Sequence, residues 1–337
     1  MEETDMSDAV QPEKPNTGGW APPKPVETPP VFVWPPKPME LFKWLFGEEG
    51  YLLPLNIPIM LISTFIWWYF IPDLERMKTF EFGWIAQVYA VNLVSLVVWT
   101  TIWHARFYVQ RAQDTEYKYN RRWPKDTETF MFGSQLLDNM FWTLVSGVTI
   151  WTAYLVVTLW AMANGWLPYL DMAEHPFYFA LFMFLIALFR EFHFYSVHRL
   201  LHFGPLYKWV HSIHHKNSNP IPWSGMAMHP VEHLFYMSGV LIHWIIPSNP
   251  LLVVYHLQHL AFMPAPDHSG FAKLVVNGKA QMDVATYMHY LHHRYFEVNY
   301  GGDGSVPLDR LFGTWHNGSA EAHERMNRRF KEKKLQR

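Results

Sequence analysis

Long apolar stretches without charges alternate with short polar segments through the first half of the chain. They lie at 51–72, 84–103, 139–163 and 177–189, and the first three contain no Lys, Arg, Asp or Glu. Each of these three has roughly the twenty residues that a helix needs to cross a bilayer. The fourth continues without a break into polar residues, so we expect a helix that leaves the membrane. The pattern predicts about four spanning helices, with Trp and Tyr near their ends as in an interfacial belt.

A further apolar region, 234–262, is interrupted by the sequence IPSNP. Its two arms, 234–246 and 251–263, are each short for a full crossing. We therefore predict a short re-entrant hairpin or a pair of tilted helices. The predicted fold class is an all-α polytopic membrane bundle with a cytosolic helical cap.

The two ends of the chain have a different composition from the apolar middle. Residues 1–40 contain ten prolines and few aliphatic side chains, which predicts a disordered or extended tail and no signal peptide. The expected organisation continues with spanning helices 1–3 and their loops at 41–176, a histidine-rich region at 177–316 and a basic tail at 317–337.

Charge distribution predicts the orientation in the membrane. The segment 105–138 carries six Lys and Arg residues, whereas 164–176 carries none. The positive-inside rule then places the histidine clusters and both termini in the cytoplasm. A net charge of −2 gives no reason to expect a nucleic-acid partner, and the absence of cysteine excludes disulfides and iron–sulfur clusters in this chain.

Histidines are concentrated late in the sequence, with fifteen of the nineteen between 193 and 293. Three motifs, HRLLH, HSIHH and HYLHH, have helical spacing that puts pairs of imidazoles on one face. In HSIHH the third histidine lies beside the pair, so this motif can direct nitrogens toward two neighbouring ions. The eight histidines of these motifs, which predict a two-metal site, are His198, His202, His211, His214, His215, His289, His292 and His293.

The spacing alone leaves the metal open, because imidazole binds Zn, Cu, Fe and Ni. The chain has neither the HExxH motif of zinc hydrolases nor the Glu-x-x-His of di-iron carboxylate bundles. An all-imidazole pair of ions fits oxygen chemistry better than hydrolysis. Two alternatives stay open: a metal-handling membrane transporter, which should carry ionisable groups inside its spanning helices, and a zinc-dependent membrane hydrolase.

The motifs and their surroundings resemble the fatty acid hydroxylase/sterol desaturase superfamily of membrane di-iron enzymes. The resemblance is carried by FYSVHRLLH, GPLYKWVHSIHH, MAMHPVEH, DHSGF and HHRYFEVNYGGDGSVPLDRLFGTWH, and covers roughly 177–316. It implies that the eight motif histidines and His268 are metal ligands. His229 matches a recurring family position, and both a ligand role and a hydrogen-bonding role beside the ligands stay open. Candidates for hydrogen bonds to ligand imidazoles are Asp267, Glu232, Asp303 and Asp309.

The resemblance also implies the chemistry. Two iron ions, for which zinc can substitute in purified protein, would use O₂ and external electrons to hydroxylate or desaturate a C–H bond of a lipid or sterol-like substrate. A separate donor, a ferredoxin or cytochrome b5-type protein with its reductase, is expected. The bacterial inner membrane is favoured over the endoplasmic reticulum. The lipid, the carbon attacked and the choice between hydroxylation and desaturation are not determined by the sequence.

Overall fold

The computed structural model describes residues 18–302 and 304–335, which form a helical protein with one small sheet. Its helices are α1 Pro38–Phe46, α2 Asn56–Phe70, α3 Phe82–His104, α4 Gln135–Phe141, α5 Val148–Ala163, α6 Pro176–Leu201, α7 Gly204–Leu206, α8 Ser212–His215, α9 Pro230–Met237, α10 Pro250–Phe262, α11 Pro264–Asp267, α12 Tyr287–Tyr295, α13 Leu308–Leu311 and α14 Ala320–Leu335, and its strands are β1 Lys273–Val276 and β2 Lys279–Asp283. Short 3₁₀ segments lie at Pro30–Phe32, Leu74–Lys78, Met131–Gly133, Pro222–Met226 and Ser238–Trp244, and π turns at Ala105–Val109, Trp142–Gly147 and Tyr207–His211.

Within the described residues, three helices are long and apolar enough to cross a membrane. They are Phe82–Val109, Gln135–Ala163 and Pro176–Leu201. The predicted helical membrane bundle is confirmed, but in the stretch 51–72 only the fifteen residues of α2 are helical, which makes this apolar helix shorter than the other three. Proline at 54 and at 72 brackets this stretch, so the helix is about 22 Å long at 1.5 Å per residue, less than the bilayer core.

The outer faces of these helices carry large apolar side chains. On α6, Phe177, Leu181 and Leu185 are exposed at helical spacing, and α2 and α3 present similar faces. The polar side chains turn inward instead, as where buried Asn92 donates to the Thr152 hydroxyl at 3.0 Å. Apolar surface outside and polar side chains turned inward are what a helical bundle needs in lipid.

The interrupted apolar region forms two short helices, α9 and α10. A pair of short helices is one of the two arrangements that the sequence predicts. A 3₁₀ segment, Ser238–Trp244, joins α9 to the chain leading into α10. All thirteen residues of α10 are buried, and it packs against α2, α5 and α6. The helix therefore lies at the centre of the bundle, which explains why it is hydrophobic on every side.

The tail at 1–40, for which the sequence predicts a disordered or extended chain, is mostly extended in its described part up to α1 and contacts the rest of the protein. The Trp20 N–H donates to the Lys118 carbonyl at 2.8 Å, and the Trp20 ring lies against Tyr117 and Tyr119. Proline removes N–H donors and sets φ without preventing packing, so a proline-rich composition is compatible with a fixed extended segment. Residues 1–17 lie outside the described part of the chain.

The cap contains a feature that the all-α prediction omits, a two-stranded antiparallel hairpin of β1 and β2. Its turn is Asn277–Gly278, and both residues have positive φ, at 52° and 72°. Asn-Gly is the pair that a two-residue hairpin turn favours, because Asn and Gly tolerate this conformation. The hairpin occupies most of the segment between His268 and α12.

Candidate metal centre

The structure brings together all nine histidines that the sequence analysis singles out. They form two groups, each with one nitrogen per side chain lying within 4.8 Å of the others. The first group contains His198, His202, His211, His215 and His292, and the second contains His214, His268, His289 and His293. Each group could hold a metal ion, as the spacing of the motifs predicts.

The helical spacing of each motif decides which group its histidines join. HRLLH gives both of its histidines to the first group, at the C-terminal end of α6. HSIHH gives the i, i+4 pair His211 and His215 to the first group and His214 to the second. HYLHH, on α12, does the reverse, with His289 and His293 in the second group and His292 in the first. The two groups are therefore adjacent, because two of the three motifs contribute histidines to both.

Backbone carbonyls orient several of the imidazoles through Nδ1. His198 donates to the Tyr300 carbonyl at 2.7 Å, His292 to the Val298 carbonyl at 2.6 Å, and His268 to the Pro264 carbonyl at 2.9 Å. A carbonyl oxygen can only accept, so in the neutral ring the proton is on Nδ1 and Nε2 has a lone pair. This is the tautomer that binds a metal through Nε2.

A carboxylate orients one further imidazole. The Nδ1 of His211 donates to Glu232 Oε1 at 2.7 Å, and both side chains are buried. Burial raises the pKa of Glu232. A metal ion bound to Nε2 of His211 would lower the same pKa, because its positive charge favours the ionised carboxylate. Glu232, one of the four predicted hydrogen-bond partners, thus contacts an imidazole of the first group.

The distances between Nε2 atoms fit bound cations. His198 and His211 both donate from Nδ1, so neither neutral ring has an Nε2 proton to share, yet their Nε2 atoms are 3.0 Å apart. In the second group the Nε2 of His268 lies 2.9 Å from that of His289 and 3.1 Å from that of His293. Lone pairs as close as those of His198 and His211 repel unless a positive charge lies between them, whereas in the second group the Nδ1 atoms of His289 and His293 have no acceptor among the described residues and all four nitrogens lie within 4.8 Å of one another. The residues present therefore fit a metal in each group.

Burial keeps these imidazoles neutral. It lowers the pKa of His214 to about 4 and, with a further contribution from His198, that of His202 to about 2. The pKa values of His215, His289 and His293 are also lowered, first by burial and then by neighbouring histidines. Neutral imidazole is the form that ligates metals, so the site is prepared for binding at neutral pH.

Asp309 stabilises the loop that orients His198. It accepts from the backbone N–H of Tyr300 at 2.9 Å and from that of Gly301 at 2.7 Å, and it is buried. The Tyr300 carbonyl, fixed in this way, is the acceptor for His198. Asp309 therefore acts through the loop rather than by touching an imidazole, and Asp303, another predicted partner, lies outside the described residues.

Two other histidines of the same region lie in neither group. His229 caps α9, where its Nδ1 accepts from the Val231 N–H at 3.2 Å. His233 is buried between the Ser146 hydroxyl, at 2.9 Å, and the Met226 carbonyl, at 3.2 Å. Of the two roles left open for His229, the described geometry supports neither, and its capping role is local.

A small cavity of about 20 Å³ opens beside both groups. Its lining includes His198 and His211 of the first group, His214, His268 and His289 of the second, and the buried pair Arg190 and Glu191. The space is enough for about one water-sized molecule. The sequence analysis did not single out Arg190 or Glu191, although two adjacent charges at the end of an apolar helix are a visible signal.

Comparison with known proteins identifies related sequences. Residues 183–314 match the model of the fatty acid hydroxylase family. The chain is 30% identical over 165 residues to a Delta(7)-sterol 5(6)-desaturase of Aspergillus fumigatus, covering 47% of this chain and 44% of that protein. It is 33% identical over 137 residues to a Delta(7)-sterol 5(6)-desaturase of Gibberella zeae, covering 39% and 36%.

A third relative is a fatty acid hydroxylase of Mycosarcoma maydis, 30% identical over 129 residues, which cover 38% of this chain and 31% of that protein. The matched region thus spans less than half of the length of each of these three relatives. No solved structure matches the chain.

Proposed function

We propose that this protein, whose residues 183–314 match the fatty acid hydroxylase family, is an O₂-dependent integral-membrane oxidoreductase that hydroxylates or desaturates a C–H bond of a lipid-like substrate. The observation that carries the proposal is the convergence of nine buried or half-buried histidines into two adjacent groups. The names of the relatives above give sterols and fatty acids as their substrates, which supports a lipid substrate for this chain.

We propose that the nine histidines hold two iron ions, five from the first group and four from the second. The Nε2 atoms of neighbouring histidines lie 2.9–3.2 Å apart within the groups, close enough for one ion in each group to be bound by several of them. Five imidazoles also exceed the four positions of tetrahedral zinc, which favours a metal of higher coordination number.

When bound, two such irons would supply the activation of O₂ that cleaves an unactivated C–H bond, with two electrons from outside the chain. The residues of the protein have separate tasks. The carbonyls of Tyr300, Val298 and Pro264 fix the ring orientations, and Glu232 fixes that of His211. Burial of the nitrogens limits the water beside them to a cavity of about 20 Å³.

The electrons require a separate protein in this proposal. The sequence contains no cysteine that could hold an iron–sulfur cluster. We propose a ferredoxin or a cytochrome b5-type carrier with its reductase, as the sequence analysis expects. The bacterial inner membrane and the cytoplasmic position of the histidines stay predictions, and the three apolar helices support only the membrane itself.

The test combines metal analysis with isotope incorporation. Full-length protein, purified in detergent and reconstituted with Fe(II), should contain about two irons per chain and should bind fewer after His292→Ala. The matched control is His229→Ala, which replaces a histidine outside both groups. Cells expressing the protein under ¹⁸O₂ should accumulate a lipid with one ¹⁸O atom, or one that has lost two hydrogens. One zinc per chain, no iron uptake and no change in lipids would overturn the proposal.

A further inference from the structure

Three further histidines lie in the interior of the helical bundle, outside the metal centre. They are His193 on α6, His243 in the 3₁₀ segment Ser238–Trp244, and His256 on α10. His243 and His256 have no exposed surface, and none of the three belongs to either histidine group. Ionisable side chains inside a membrane bundle are rare and often mark a path for protons or ions. The contacts of these three rings therefore bear on function.

Hydrogen bonds connect the rings into two short chains. In one, the Ser248 hydroxyl lies against Nδ1 of His243, whose Nε2 is 3.0 Å from Nδ1 of His256. In the other, Nε2 of His193 is 3.0 Å from the Ser238 hydroxyl. Each chain ends at a buried ring nitrogen that has no hydrogen-bond partner among the described residues. These two nitrogens are Nε2 of His256 and Nδ1 of His193.

Gly239 lies where the two chain ends meet. A Cβ atom at this position would lie 3.2 Å from Nδ1 of His193 and 3.4 Å from Nε2 of His256. Both nitrogens therefore face the same point beside the glycine backbone. Buried polar atoms are almost always hydrogen-bonded, and glycine has no side chain to occupy this point. We therefore expect a small ligand that contacts both nitrogens.

The proton positions decide which ligand fits. The Ser238 hydroxyl donates to the Phe235 carbonyl at 2.7 Å, so its oxygen accepts the proton of His193 Nε2. Nδ1 of His193 then has a lone pair and needs a donor. Nε2 of His256 has either a proton or a lone pair, depending on the direction in which its chain is polarised. Water fits both cases, because it can donate twice or donate once and accept once, whereas a metal ion fits only two lone pairs.

The chain of polar groups begins at the end of the bundle opposite to the metal centre. The N–H of Ser248 donates to the Pro168 carbonyl at 2.9 Å, and its carbonyl accepts from the Leu170 N–H at 2.7 Å, in the loop before α6. The histidine groups lie at the other end of α6. His193 precedes His198 by five residues, about 7.5 Å along the helix axis. The chain thus runs toward the metal centre.

The small cavity beside the histidine groups lies next along this direction. Arg190 is three residues before His193, and therefore on the same side of α6. It lines the small cavity of about 20 Å³ together with His198. This space is enough for about one water-sized molecule. A water in the small cavity would provide the step from the region of His193 to the metal centre.

We propose that one water binds at Gly239 between His256 and His193 and completes a chain that transfers protons toward the metal centre. The members of this chain, in order, are Ser248, His243, His256, the bound water and His193. A neutral imidazole accepts a proton at one nitrogen and releases another from the second, so such a chain moves protons while its rings stay in place. The water site stands on the geometry alone, whereas the use of the protons rests on the proposed function.

That reaction consumes protons in either of its forms. Hydroxylation converts C–H, O₂, two electrons and two protons into C–OH and one water. Desaturation converts two neighbouring C–H bonds, O₂, two electrons and two protons into a double bond and two waters. Eight of the nine histidines of the metal centre are buried, which favours a supply of protons through polar groups of the protein.

Solid-state NMR on the full-length protein, labelled with ¹⁵N-histidine and held in lipid nanodiscs, tests the water site. Polarisation transfer from water should reach Nδ1 of His193 and Nε2 of His256, with signals assigned by their loss in His193→Gln and His256→Gln. Gly239→Ala places a methyl group at the shared point and should remove both transfers. Gly83→Ala is the matched control, because no other part of the described chain lies within 4 Å of its added Cβ.

Exchange kinetics test the transfer of protons along the chain. After a change from H₂O to D₂O, the N–H of His193 should exchange about tenfold or more slowly in Gly239→Ala than in wild type, the factor that corresponds to one lost hydrogen bond. Ser248→Ala should slow the same exchange, although two other rings separate Ser248 from His193. A purely structural role of these groups would not couple such distant positions. Unchanged metal content shows that the variants fold.

Iron-loaded protein tests the use of the protons. The reduced protein is mixed with O₂ in a stopped-flow instrument, in H₂O and in D₂O. The reaction should be slower in Gly239→Ala than in wild type and should show a larger solvent isotope effect, because proton transfer then limits the rate. Gly83→Ala should match wild type in both respects.

The proposal is overturned if water transfers polarisation to neither nitrogen in wild type, or if exchange at His193 is unchanged in both Gly239→Ala and Ser248→Ala. A third metal ion per chain that is lost in His256→Gln would also overturn it. Because the NMR measurements need no turnover, they separate the two proposals. The expected exchange behaviour without incorporation of ¹⁸O into lipid would remove only the proposed function. Incorporation of ¹⁸O with an unchanged rate and isotope effect in Gly239→Ala would remove only this inference.

Discussion

The hydrogen bond between Glu232 and His211 gives the sharpest test of how the metal centre is built. Both side chains are buried, and Oε1 lies 2.7 Å from Nδ1. Replacing Glu232 by Leu removes the acceptor and leaves a buried N–H without a partner, which costs about 1–3 kcal/mol. That cost corresponds to a loss of about 5- to 150-fold in metal affinity, at 1.4 kcal/mol for each factor of ten. Removing comparable partners of ligand histidines typically costs 10- to 100-fold.

The variant Glu232→Gln keeps the shape of the side chain and removes its charge, so it separates the two contributions to metal affinity. The amide oxygen can still accept from His211, but the bond loses its ionic character, which is worth about 1 kcal/mol. We therefore expect a loss of about fivefold, between wild type and Glu232→Leu. Because His211 belongs to the five-histidine group, one of the two sites should weaken while the other keeps its affinity.

The assay is a titration of metal-free protein with Co(II), whose visible spectrum reports each site, followed by Fe(II) competition. Ser146→Ala is the matched control, because it removes a 2.9 Å hydrogen bond to His233, a buried histidine outside both groups. The Ser146→Ala variant should bind Co(II) and Fe(II) with the same affinities as wild type. The reasoning is refuted if Glu232→Leu binds two metals as tightly as wild type, or if Ser146→Ala weakens binding equally.

Four further predictions follow from the same geometry. Asp309→Asn weakens the acceptor of two buried backbone N–H groups. We therefore expect the free energy of unfolding to fall by about 1–3 kcal/mol, measured by thermal melts. The variant should also bind less metal, measured by elemental analysis. Gly225→Ala would place a Cβ 2.3 Å from the Pro264 carbonyl, and should reduce metal content toward one per chain while the five-histidine site stays filled. Metal-free protein should lose stability as the pH falls from 6.5 to 4. Burial lowers the pKa of His214 to about 4, so this imidazole stays neutral in the folded state while the unfolded chain gains a proton. A melting temperature that does not change with pH across this window would contradict the prediction. His229→Ala removes a helix cap and should cost about 1 kcal/mol without loss of metal, so a metal-depleted variant would mean that His229 supports the site after all.

Local pattern and tertiary packing contributed differently to the fold. The apolar stretches predict the three long helices, whereas the stretch at 51–72 is interrupted by prolines that the hydrophobic count ignores. The Asn277–Gly278 pair carried a hairpin signal that the sequence analysis did not use. The extended packing of residues 18–37 could not be read from composition, because its partners, such as Lys118 and Asn317, lie far along the chain.

Three sequence motifs by themselves determined eight of the nine histidines of the candidate metal centre, because helical spacing puts imidazoles on one face wherever the helix is placed, whereas His268 was indicated only by the resemblance to the family. Only the tertiary structure decided how they divide into five and four, since this depends on α6, α8 and α12 meeting at one point. The same holds for the Tyr300 carbonyl, which lies 102 residues from the His198 that it orients, and for the point beside Gly239 that His193 and His256 both face. Helical periodicity is a local property of the chain, whereas convergence of distant segments depends on how the whole bundle packs.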